Sequence, residues 1–62
     1  MLTEQEVVQL IRDTRKLADD LTHLARENVA SPEQLQQLDE AQNILTNLRH
    51  QYPFWWHKAT KQ

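Results

Sequence analysis

The stretch Ser31-Pro32-Glu33-Gln34 limits the folds open to this chain more than any other, because it is built to start a helix. Ser31 offers an N-cap oxygen, Pro32 suits the first helical position where a missing N–H costs nothing, and Gln34 can close a capping box. Just upstream, Asn28-Val29-Ala30 interrupts whatever precedes it. Asn tolerates the left-handed backbone that ends helices, which matters in a chain with no glycine. Two helices joined by about four residues form an antiparallel hairpin. The fold class is therefore all-α.

The first helix opens at Thr3, an N-cap with Glu6 three residues on to complete a capping box, and with Leu2 and Val7 placed as a hydrophobic staple. Glu4 and Glu6 put negative charge at the positive end of the helix dipole. Val7, Leu10, Thr14, Leu17, Leu21 and Leu24 then alternate spacings of three and four, the pattern of an a/d seam, with Ile11, Ala18 and Ala25 beside it. Thr14 and Asn28 fall at a positions; Thr14 is expected to bond back to its own helix and Asn28 to act as the cap. In the second helix Leu35, Leu38, Ala41, Leu45, Leu48 and Tyr52 form the stripe, flanked by Ile44. Pro53 disfavours helical geometry at Tyr52, so this helix ends near Gln51. The pattern predicts helices over 4–28 and 32–51, a hairpin domain 1–51 and a C-terminal tail 52–62.

These stripes are wider than one helix pair can bury, and suit a three- or four-helix bundle. With 62 residues and no cysteine, the chain has neither a large core nor a disulfide or thiolate–zinc staple. Stability must then come from good helix packing or from association with another chain. A symmetric dimer closing into a four-helix bundle is the economical solution, with Val7, Leu10, Ile11, Leu17, Leu21, Leu24, Leu35, Leu38, Ile44, Leu45 and Leu48 at the oligomer interface. A bundle with a different helical protein meets the same need.

Charge narrows the function. Residues 1–51 carry five Lys/Arg against nine Asp/Glu, whereas residues 52–62 carry two Lys and no acid. An acidic body argues against a dedicated nucleic-acid binder. Arg12, Arg15 and Lys16 form a short basic patch off the seam, but Asp13, Asp19 and Asp20 surround it, and Arg15/Asp19 and Lys16/Asp20 stand at i, i+4. That reads as a salt-bridged solvated face, with nucleic-acid contact as the alternative. His23, His50 and His57 lack metal-ligand spacing, and no phosphate loop, triad or carboxylate pair in a cleft is evident, so no enzyme, cofactor or metal is expected. No apolar run approaches a membrane span and nothing resembles a signal peptide; a cytoplasmic protein is expected.

All four aromatic residues, Tyr52, Phe54, Trp55 and Trp56, crowd into five positions near the C-terminus, followed by Lys58 and Lys61. Trp and Tyr are frequent binding anchors. The cluster has three readings: a plug for the end of the bundle, an anchor for a protein partner, or a peripheral contact with lipid headgroups.

The run from Ser31 to Leu38, followed by Ile44-Leu45 and Leu48, resembles the small helical-hairpin co-chaperones of type III secretion needle subunits. That resemblance implies a bacterial, non-enzymatic partner that sheathes an aggregation-prone helical subunit. Length and hairpin organisation are also similar to Rop-type dimers, which bind RNA loops on one bundle face; here only the architecture carries over. Two functional readings result. One is a protein-interaction module, self-associating or binding another helical protein. The other is a Rop-like RNA- or DNA-binding adaptor using Arg12, Arg15 and Lys16.

Overall fold

The computed structural model describes residues 2–61 and contains three helices: α1, Glu4–Arg26; α2, Pro32–Gln51; and α3, Pro53–Thr60. At 1.5 Å per residue the 23 residues of α1 span about 34 Å, so this helix sets the longest dimension of the molecule, 36 Å. α2 returns alongside it. Val7 and Ile11 share a cluster with Leu48, and Thr14 and Leu17 share a groove with Ala41 and Ile44, so numbers rise along α1 as they fall along α2.

Helix ends follow local chemistry closely. Ser31 Oγ accepts from the Gln34 N–H at 3.2 Å, while the Ser31 N–H donates to Gln34 Oε1 at 2.9 Å, a complete capping box. The α1 box is half built. Thr3 Oγ1 accepts from the Glu6 N–H at 3.2 Å, but the Glu6 carboxylate takes the Thr3 hydroxyl rather than its backbone N–H. Leu2, the outer half of the expected staple, stays substantially exposed.

α1 stops at Arg26, two residues short of the predicted end, in a closure that a glycine usually makes. Asn28 adopts φ 58°. Its N–H donates to the Ala25 carbonyl, and the Val29 N–H reaches the Leu24 carbonyl, each at 3.1 Å. This is a Schellman motif, which caps the last carbonyls and reverses the chain toward Ser31.

The apolar seam is rotated from the predicted one. α1 buries Val7, Ile11, Thr14, Ala18 and Leu21, with Val7 and Ile11 wholly inaccessible, whereas Leu10 and Leu17 stand exposed. α2 buries only Ala41 and Leu48, and leaves Leu35 and Ile44 exposed. The reason is a third helix that the a/d pattern does not count. A strict a/d face serves one neighbour, but α1 has two, and α3 pulls the buried arc toward Val8 and Ile11. Small Ala18 and Ala41 at the seam allow the helices a close approach. Thr14 also departs from expectation: Thr22, Thr46 and Thr60 bond back to carbonyls four residues earlier, while Thr14 is buried at the edge of a groove.

Replacing Asn28 separates the cap from its surroundings. Asn28→Ala is expected to cost about 1 kcal/mol, because a Cβ-bearing residue without Asn's local bonding resists the left-handed region. Asn28→Gly is expected to match or exceed the original stability. Urea unfolding midpoints check both; equal destabilisation by Ala and Gly would show that the Asn side chain, not its backbone, holds the turn.

Candidate interaction surfaces

The segment predicted as a tail is α3, and most of the aromatic cluster is structural. Pro53 ends α2 and takes the first position of α3. Tyr52, at φ −131° and ψ 64°, is the hinge: its N–H closes α2 on Leu48 at 2.9 Å, and its carbonyl accepts the Trp56 N–H at 2.7 Å. Ala59 completes a core cluster with Val7, Ile11 and Leu48, against which Val8, Tyr52, Trp55 and Trp56 pack. The Tyr52 and Trp55 rings stack 5.1 Å apart with planes inclined by 8°. Of the four proposed anchors only Phe54 projects outward, 87% exposed. Sequence reasoning also missed Val8 and Ala59 as core residues. The signal available was Pro53 at a helix start, weakened because no side chain caps it.

The α3 side of the hairpin carries the positive charge. Lys58 Nζ donates to Glu4 Oε1 at 2.6 Å, and both line an open groove with Gln5, Val8 and Arg12. An exposed pair of this kind contributes less than about 1 kcal/mol. A second groove, between α2 and α3, is lined by Arg49 and Trp56 with Gln42, Leu45 and Thr46. Arg12, Arg15 and Lys16 are all exposed. Neither Arg15/Asp19 nor Lys16/Asp20 closes to ion-pair distance; among the described residues the ion pairs are Lys58–Glu4 and His23–Glu27 at 3.3 Å. Of this basic patch, Arg12 alone lines the Lys58 groove.

The opposite side is apolar and open. Thr14, Leu17, Gln37, Glu40, Ala41 and Ile44 line a groove of about 290 Å³ between α1 and α2. Leu10 and Leu24 lie seven residues either side of Leu17, hence on the same row of α1. Leu10 is 40% exposed, Leu17 48% and Ile44 45%, while Leu24 is half-buried. Val8, which faces α3, and Leu10 leave the helix about 200° apart at 100° per residue, so α3 cannot cover this row.

The predicted interface residues therefore fall into two sets. Val7, Ile11, Leu21 and Leu48 are buried within the chain, with Leu24, Leu38 and Leu45 half-buried. Leu10, Leu17, Leu35 and Ile44 remain on the surface. Among the described residues no three His, Asp or Glu side chains converge as metal ligands, no buried side-chain polar atom lacks a partner, and no helix is long and apolar enough to cross a membrane. Comparison with known protein families, curated proteins and solved structures finds no match to this chain.

The aromatic residues divide on stability. Trp55→Ala is expected to lower it by about 2 kcal/mol, below the usual range for fully buried Trp because this ring is half-exposed. Phe54→Ser should stay within about 0.5 kcal/mol of the original. Thermal unfolding followed by circular dichroism checks the contrast, which would vanish if the rings were held out for a partner.

Proposed function

We propose that this chain is a non-enzymatic protein-interaction module whose docking surface is the groove of Leu10, Leu17 and Ile44. One observation supports it above others. Three large aliphatic side chains stand half in water on one continuous face, in a chain that buries few large residues of its own. Covering each would contribute on the order of 1 kcal/mol or more, and contiguous apolar faces of this kind mark contact sites. A helical partner, either a second hairpin closing a four-helix bundle or a helix of another protein, could lay an apolar face along the row of Leu10 and Leu17. The adaptor and chaperone-like role implied by the resemblance to needle-subunit co-chaperones accords with that surface.

The aromatic segment supports this role indirectly. Tyr52, Trp55 and Trp56 hold α3 against α1 and so decide which face stays free; Phe54 alone is placed as an anchor. The nucleic-acid reading has its own supporting observation, the junction of Arg12 with Lys58 in one groove. Glu4 sits between them and weakens it.

Two measurements test the proposal. Leu17→Glu and Ile44→Glu are expected to leave the unfolding temperature unchanged or raise it, while Ile11→Ala costs about 2–5 kcal/mol. A photoreactive side chain at position 17 should cross-link to protein in extracts of the source cells, and one at Arg12 should not cross-link to nucleic acid. Cross-linking of nucleic acid at 12 with no protein at 17 would favour the RNA- or DNA-binding alternative.

A further inference from the structure

We infer that the occupant of this groove is a basic amphipathic helix of another protein, and not a second copy of this chain. The inference rests on the docking reading above, and the charge around the groove carries it. Beside the Leu10, Leu17 and Leu24 row runs a second row with the same period: Glu6, Asp13, Asp20 and Glu27. Seven residues fall just short of two full turns, so these carboxylates form a nearly straight rim along α1. On the α2 side Glu40 lines the groove itself, and Glu33 precedes it by seven residues on the same face.

Two bases border this rim, Lys16 one turn from Asp20 and His23 at 3.3 Å from Glu27, and both are turned about 100° from the Leu row. The four Lys/Arg of α1 point about 100–200° away from the Leu row. Arg49 and Lys58 line the other two grooves. Among the described residues no rim carboxylate lies within ion-pair distance of a Lys or Arg. Asp13 accepts from Gln9 at 2.9 Å, Glu6 from the Thr3 hydroxyl, and Glu27 faces His23. Carboxylates predominate around the apolar groove, whereas Arg12, Arg49 and Lys58, with Glu4 among them, line the grooves beside α3.

This division discriminates between occupants. A two-fold dimer brings the same patch from each copy together, so two mainly acidic rims would meet, an arrangement that like-charge repulsion opposes. A foreign helix with apolar residues at i, i+3 or i+4, and i+7 can seat them between Leu17 and Ile44. The floor of Thr14 and Ala41 is low enough to admit a large side chain. Lys or Arg flanking that apolar stripe would meet the rims on both sides. Recognition thus needs both elements, an aliphatic stripe and flanking positive charge.

The test uses the full chain and two labelled helical peptides of about 18 residues. They share one leucine stripe, flanked by Lys in the first and by Glu in the second. Fluorescence anisotropy is expected to show the Lys peptide binding at least about tenfold more tightly, with the difference shrinking as salt rises. Asp13→Lys with Asp20→Lys should reverse the order, Leu17→Asp with Ile44→Asp should abolish binding without altering helix content, and Arg12→Glu with Lys58→Gln should leave the order unchanged.

Equal binding of the two peptides, binding of neither, or loss of preference in the Arg12/Lys58 variant overturns the inference. So does sedimentation of the chain alone as a dimer that Leu17→Asp splits; that outcome names a second copy as occupant and leaves the interaction-module reading standing. That broader reading fails separately, if position 17 cross-links to no protein.

Discussion

The docking of α3 into the cluster of Val7, Ile11 and Leu48 governs the rest of this structure. Eight residues of helix could not persist alone, and α3 persists because Ala59 enters the core while Trp55 and Trp56 cover its flank. The stacked Tyr52 and Trp55 rings stiffen the hinge at Pro53. Two helices that could each satisfy only one neighbour become a three-helix unit with an asymmetric surface.

That asymmetry sets what the surface presents. By taking the Val8 side of α1, α3 leaves Leu10 and Leu17 without an intramolecular partner, and Ile44 joins them from α2. It also brings Lys58 to the side that already holds Arg12. Positive charge is gathered where the chain covers itself, and negative charge remains around the apolar groove. Exposed apolar side chains cost solubility, and a rim of carboxylates offsets that cost; in the proposed function it also favours a partner of positive charge.

Legibility differed sharply between ends and faces of helices. The Ser31 cap, Pro32 start and Asn28 stop depend on bonds between residues within five positions of one another, and all three were readable from residue types. Pro53 was readable as the end of α2 but not as the beginning of α3, since the same residue serves both and no capping side chain precedes it. The face of α1 was not readable, because Leu10 and Ile11 are equally apolar neighbours. Only the position of a distant segment decides which of them is buried.

Sequence by itself determined that this chain is helical, where α1 and α2 begin, where α2 ends, and the Asn28 break within two residues of the end of α1. It also set the period-seven carboxylate row beside the leucine row, since both follow from helix geometry alone. Tertiary structure decided which apolar row became core and which became surface, because burial is a competition among neighbours that may lie fifty residues apart. It likewise chose among the readings left open for the aromatic cluster, packing Tyr52, Trp55 and Trp56 against the core as a plug and leaving Phe54 exposed. Local hydrogen bonds act within a turn and leave their mark in the sequence; packing acts across the chain and is settled only when all three helices meet.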